Sequence, residues 1–170
     1  MAKAEENKYL TKQAAFYIIC MYNQQEEIIM VNHLLQGCLY FTANSLARVL
    51  TAIAEEEFKK TGLAPNYAFI LMLICEKPGL MQKEISEYLQ LTPSTITRFV
   101  DKLENKKLLA RRTEGKTVCV DPTEEGKALL EDIKAAWERL YYRYADVLGT
   151  EESERLTEMS WKAALKLEGK

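Results

Sequence analysis

The sequence predicts a mainly α-helical fold carrying a small β-hairpin wing, on three observations. Apolar residues recur at three- and four-residue steps over most of the chain. Two short helical patterns follow each other closely, the second with Thr92 as cap and Pro93 as its first residue. Two extended segments then flank Glu114-Gly115, a plausible two-residue hairpin turn. The 170 residues, 48% of them hydrophobic, suffice for one ordinary domain with helical elaborations.

A first long helix is predicted from Val31 through Leu35, Leu39, Leu46, Val49, Leu50, Ile53 and Phe58, ending at Lys60-Thr61-Gly62, where Gly62 suits a left-handed cap. Pro65 opens the next helix, Asn66 to Cys75. Its run Phe69-Ile70-Leu71-Met72-Leu73-Ile74 is apolar nearly all round, which places it centrally. Pro78-Gly79 marks a turn, and Gln82 to Leu89 reads as a short helix with Ile85 and Leu89 inward. From Thr92 the next helix runs to about Asn105 with Ile96, Val100 and Leu103 as its apolar stripe. Leu108 to Thr113 and Lys116 to Asp121 form the two hairpin strands. Pro122-Thr123-Glu124-Glu125 then starts a helix with a Thr cap and an acidic first turn, continuing through Leu130, Ile133, Trp137, Leu140, Tyr144 and Val147 to Gly149. A last helix, Glu151 to Leu167, carries Leu156, Met159, Ala163 and Leu167 on one side.

Composition excludes several classes. The four cysteines, Cys20, Cys38, Cys75 and Cys119, have neither CxxC spacing nor the density of a disulfide scaffold, which fits a reducing cytoplasm. His33 is the only histidine, so a His-rich metal site is out; it reads as a surface or interface residue. No activated nucleophile, general base or phosphate loop is visible, and no cofactor motif, so no enzyme is read here. The longest early apolar stretch, Ala14 to Tyr22, falls short of the roughly 20 residues of a membrane-spanning helix, so no membrane partner is expected.

Helix, short helix, capped helix and hairpin in that order make a winged helix-turn-helix, whose third member fits a DNA major groove. With Ile96, Val100 and Leu103 buried, helical geometry turns Ser94, Thr95, Arg98, Asp101 and Lys102 outward, with Thr97 at the boundary. The Arg98 guanidinium can donate two hydrogen bonds to guanine O6 and N7, and Ser94, Thr95 and Thr97 offer shorter polar contacts. Gln82, Lys83, Lys102, Arg111, Arg112 and Lys116 are better placed for phosphate, which fixes register without reading sequence. The formal charge of the chain is -2, so overall basicity argues nothing. Between Leu80 and Val120, however, eight basic side chains stand against five acidic ones, a net of +3 where this fold meets DNA.

Three stretches, Gln82-Lys83-Glu84-Ile85, Thr92 through Glu104 and Pro122-Thr123-Glu124-Glu125-Gly126-Lys127, resemble the multiple antibiotic resistance regulator (MarR) family. The resemblance covers about Val31 to the C-terminus. It implies a winged helix-turn-helix over residues 63–122, with a helical dimerisation region from the N- and C-terminal helices, residues 31–62 and 123–170. The implied function is sequence-specific transcriptional regulation, by repression, through a homodimer on a pseudo-palindromic operator in double-stranded DNA. A winged-helix module for protein contact or assembly, without specific DNA binding, is the alternative. Two departures stand out. The family's usual glycine after the recognition helix is Lys107 here, and its Asp-x-Arg wing motif is only approximated by Glu114-Gly115-Lys116.

The family also implies release by a small aromatic ligand or by thiol oxidation. Tyr40, Phe41, Tyr67 and Phe69 would line a ligand cleft, although aromatics at helical spacing more often belong to a core. Cys38 lies near the position of the hydroperoxide-sensing thiol, but the tyrosines that accompany that thiol do not match, which favours a buried structural cysteine. Residues 1–30 precede the resemblance and allow two readings. Either Ala14 to Met21 forms an extra helix on the dimer, or the natural start is Met30, since Gln25-Glu26-Glu27 can be encoded by a ribosome-binding purine tract.

Overall fold

A computed structural model describes Ile28 and residues 30–115 and 117–169. The readings made for residues 1–27, Cys20 among them, and for Lys116 lie outside these described residues. The chain divides into two compact units, residues 1–50 and 51–170.

In the first unit, helix α1 is described over residues 30–36 and helix α2 (Leu39–Phe58) begins. The single helix expected from Val31 is therefore interrupted at Gly37 and Cys38. Cys38 N–H bonds the Leu35 carbonyl at 3.0 Å, an i to i−3 contact, before the Thr42 N–H restarts the ladder on the Cys38 carbonyl at 3.0 Å. A glycine inside a helix costs about 1 kcal/mol relative to alanine, so the break falls where the ladder is weakest. Met30, Val31, Leu34, Leu39 and Tyr40 are all exposed in this unit.

The second unit takes α2 from Thr51 onward, with Ala54 and Phe58 buried. A 3-10 turn, Lys59–Thr61, closes on Gly62 in the expected left-handed conformation, φ 68°. Helix α3 (Pro65–Glu76) is central as its sequence requires, with Ala68, Ile70, Leu71 and Ile74 fully buried. Phe69 joins Phe58 and Trp137 in an aromatic row, ring centroids 5.4 Å apart at each step. A two-residue strand β1 (Leu80–Met81) precedes helices α4 (Gln82–Leu89) and α5 (Pro93–Asn105). Strands β2 (Leu109–Glu114) and β3 (Thr117–Pro122) form the hairpin, and the antiparallel sheet runs β1-β3-β2.

Two details of the wing differ from expectation. Strand β1, pairing Leu80 with Val120 and Met81 with Cys119, was not foreseen; two residues have no periodicity to read. Glu114 pairs with Thr117, so Glu114 belongs to the strand and not to the hairpin loop. Gly115 has φ 62°, the conformation a tight hairpin loop demands at its first position and the one only glycine adopts freely.

The long helix expected after Pro122 is two: α6 (Glu124–Ala128) and α7 (Leu130–Leu148), followed by α8 (Thr150–Leu167). Helix α6 is tied to the wing base. The Thr123 hydroxyl caps Gly126 N–H at 3.0 Å while donating to the Lys107 carbonyl at 2.7 Å, and Thr123 N–H reaches the Leu108 carbonyl at 3.1 Å. Gly126 lies so close to the turn ahead of β2 that a Cβ on it would stand 2.1 Å from the Leu108 oxygen. Leu129 N–H then bonds the Gly126 carbonyl, an i to i−3 contact at 3.2 Å, and α7 starts afresh. Helix α7 is clipped to the end of α2 by Arg139 Nε on Glu57 Oε2 at 3.1 Å and Arg143 Nη1 on Glu57 Oε1 at 3.0 Å. Among the described residues no helix is long and apolar enough to cross a membrane.

Candidate nucleic-acid interface

Helix α5 starts where the sequence says it should. Thr92 is extended at φ -65°, ψ 147°, its hydroxyl accepts from Thr95 N–H at 3.4 Å, and Pro93 fills the first helical position, where no donor is missed. The turn from α4 is fixed by Ser86, whose hydroxyl donates to the Leu91 carbonyl and whose own carbonyl accepts the Leu91 N–H at 3.2 Å. On the inner face Ile96, Val100 and Leu103 are all 0% exposed. Above them Ser94, Arg98, Asp101 and Lys102 are exposed as helical periodicity predicts, while Thr95 and Thr97 exchange the places expected of them, Thr95 being half-buried and Thr97 exposed.

The cations on this surface fall into two groups. Among the described residues Arg98, Lys102 and Lys83 form no ion pair; Arg98 leans over the Phe99 ring at 5.6 Å and the Lys102 ammonium over the Tyr67 ring at 4.9 Å. The wing arginines, expected to meet phosphate, are instead held by carboxylates. Arg111 leaves β2 on the face toward α5 and reaches both Asp101 and Glu104 through its terminal nitrogens, while its N–H donates to Glu104 Oε1 at 3.2 Å. Arg112, on the opposite face, donates from Nε to Asp121 Oδ2 at 2.8 Å and from Nη1 to Glu114. Asp121 first and Glu114 second push its pKa up from the ordinary guanidinium value.

Gln82 joins the two elements. Thr97 has one hydroxyl hydrogen, which goes to the Pro93 carbonyl at 3.0 Å. The Gln82 amide therefore turns its Nε2 toward Thr97 Oγ1 at 3.0 Å, and its Oε1 accepts from Arg111 Nε at 3.2 Å and Nη2 at 3.0 Å. Arg111, Gln82, Thr97, Asp101 and Glu104 thus form one network locking the wing base onto α5. Asp101 and Glu104 were visible as acids on α5, but their partner could be named only once the hairpin register was known.

Tyr67 stacks on Phe99, centroids 4.7 Å apart, and supports Lys102. Phe69 faces a cleft of about 400 Å³ in the second unit, lined also by Met72, Leu73, Glu76, Tyr88, Leu89 and Trp137. Tyr67 does not line it, and Tyr40 and Phe41, both exposed, belong to the first unit. Cys38 is exposed, against the expectation of a buried thiol, as are the described residues on either side of it from 30 to 41. Cys119 is buried, and burial pushes the half-buried Cys75 thiol up, away from reactivity at neutral pH. His33 is exposed. Among the described residues no group of three or more His, Cys, Asp or Glu could hold a metal ion.

A helix with buried apolar stripe and exposed Arg, Lys, Ser and Thr, preceded by a tight turn and followed by an antiparallel wing, defines the class of winged helix-turn-helix readers of duplex DNA. The sequence profile of the MarR family matches residues 63–114. The chain is 30% identical over 112 residues to the HTH-type transcriptional repressor MdtR of Bacillus subtilis, spanning 64% of this chain and 72% of MdtR. It is similar in fold to the crystal structure of MepR from S. aureus in complex with DNA, with a TM-score of 0.66 at 19% identity over 78% of this chain and 98% of that one. It is likewise similar to CouR from Rhodococcus jostii bound to p-coumaroyl-CoA, TM-score 0.64 at 23% identity over 78% and 93% of the two chains. The chain belongs to the MarR family and is a DNA-binding transcriptional regulator.

Proposed function

We propose that the chain is a cytoplasmic, non-catalytic repressor that binds a pseudo-palindromic operator as a homodimer, with residues 63–122 reading DNA and residues 31–62 and 123–170 forming the dimerisation region. The observation that carries this reading is the exposed face of α5, where Arg98 and Lys102 stand free of ion pairs above a fully buried Ile96, Val100 and Leu103. Arg98 reads a guanine, Ser94, Thr95 and Thr97 border it, and Lys83 and Lys102 meet phosphate. Arg111 and Gln82 act from behind, holding the wing to the helix. In the dimer the two recognition helices stand roughly 34 Å apart, one turn of duplex.

The decisive experiment is selection of bound fragments from genomic DNA at stated salt, followed by binding of operator and random duplexes by variants. Arg98→Ala should relax preference at one position per half-site at a loss of about 1 to 3 kcal/mol. Lys83→Ala should weaken all duplexes alike and flatten the salt dependence by about one counterion per protomer. Equal affinity of the wild type for operator and random DNA would defeat the reading.

The apolar cleft beside Phe69, Tyr88 and Trp137 supports a small aromatic effector as the releasing signal. Quenching of tryptophan fluorescence by candidate aromatic acids, absent from Trp137→Leu, checks this.

A further inference from the structure

Among the described residues, the outward face of the wing carries one cation and two acids. Arg112 and Glu114 are two apart on β2 and so leave the same face of the strand; Asp121 stands opposite Ala110, diagonal to Arg112 on that face. The trio carries a net single negative charge on the element that, in the reading above, lies against the phosphate backbone. Its members differ in exposure: the side chains of Arg112 and Glu114 are 51% and 60% exposed, that of Asp121 only 27%.

That difference divides their roles. Asp121 takes the inner nitrogen, Nε, at 2.8 Å and fixes the direction of the arginine side chain. Glu114, at the end of the strand beside the Gly115 turn, takes Nη1, one of the terminal nitrogens. A guanidinium has five donors in a flat fork whose geometry fits phosphate as well as carboxylate, so Glu114 occupies the position a phosphate oxygen would take. An ion pair this exposed adds little to stability, so what it changes is the availability of the guanidinium to phosphate.

We infer that Glu114 is an electrostatic stop on the wing: it holds Arg112 away from phosphate and so caps the sequence-independent part of DNA affinity. The stop leaves discrimination to α5, because every contact it withholds is one that reads no base. This inference rests on the DNA-reading face proposed above.

The test uses the full chain and a random-sequence duplex over a range of salt concentrations. Glu114→Gln should bind this duplex about three- to tenfold more tightly at low salt, with a steeper salt dependence, by up to about two counterions per dimer. Arg112→Gln alone should change little, and in the Arg112→Gln, Glu114→Gln double variant the gain should vanish. Thermal melts of each variant establish that the fold is kept. No tightening by Glu114→Gln overturns the inference, and so does a gain that survives in the double variant, since Glu114 would then act by its own charge alone. Failure of the DNA-reading face is separable: there the wild type binds no duplex, or Lys83→Ala weakens none. A Lys83→Ala effect with a silent Glu114→Gln overturns the wing stop alone.

Discussion

Lys107 leaves the recognition helix at φ 61°, and Gln90 leaves the preceding helix at φ 52°. Both occupy the position that helices end on most easily with glycine. Around Lys107 the N–H of Leu108 reaches back to the Leu103 carbonyl at 3.0 Å and that of Lys107 to Glu104 at 2.8 Å, the paired bonds of a Schellman ending. The left-handed region costs an L side chain about 1 kcal/mol, which this ending absorbs because the two bonds and the burial of Leu108 fix the turn regardless. Lys107→Gly should therefore raise unfolding stability by about 0.5 to 1 kcal/mol, read as a higher urea midpoint at unchanged slope. Lys107→Ala removes the same charge but keeps the strain, so it should show no such rise. If the alanine variant gained as much as the glycine one, charge and not backbone conformation would be the cause.

Among the elements, the brace between α2 and α7 has a strength that depends on pH. The Glu57 carboxyl is held below its ordinary value of 4.5 by the hydrogen bond from Arg143 foremost, against an opposing effect of burial, with Arg139 adding to the lowering. A carboxyl whose folded pKa is depressed contributes its full stabilisation above the unfolded value, and that contribution drains away as pH falls through the folded one. Wild type should melt about 1 to 3 °C above Glu57→Gln at neutral pH, with the two converging in acid. A gap that stays constant with pH would remove Glu57 ionisation as its source. This brace was invisible in the sequence, since Glu57 and Arg139 are 82 positions apart and only the tertiary fold joins them. Helix α5, by contrast, was legible to the residue, because Thr92, Pro93 and the spacing of Ile96, Val100 and Leu103 are local signals with local causes. The same contrast runs through the site. Exposure of Arg98 follows from helical periodicity, whereas the capture of Arg111 and Arg112 by acids follows from a hairpin register that the sequence placed one residue off. The division at Leu129 was missed for a similar reason: the local pattern reads as one continuous helix, and only the fold sets the Leu108 backbone against Gly126.

At the scale of the whole molecule, the protomer leaves a large amount of apolar surface uncovered. Helices α7 and α8 expose Tyr142, Val147, Leu148, Met159, Trp161 and Leu167, with Leu167 and Val147 more than 80% or near it at 80% and 82%. The helical spacing that predicted an apolar side for α8 through Met159 and Leu167 is present, yet among the described residues these two stay exposed. Apolar faces this extensive are rare on monomers, and in the proposed homodimer they meet a second copy through a two-fold, self-complementary contact. Dimerisation then has a calculable effect on function, because the second half-site is bound intramolecularly and the affinity for a full operator exceeds that for one half by about 10² to 10⁴. Trp161→Glu with Leu167→Glu places two carboxylates in that contact and should give a monomer by sedimentation velocity. Such a monomer should keep weak affinity for a half-site duplex while losing that advantage on the full operator. A variant that remains dimeric, or a wild type that sediments as a monomer at micromolar concentration, would move the subunit contact away from α8. A monomeric wild type would further require the α5 face and its base reading to act one protomer at a time, on an operator without two-fold symmetry.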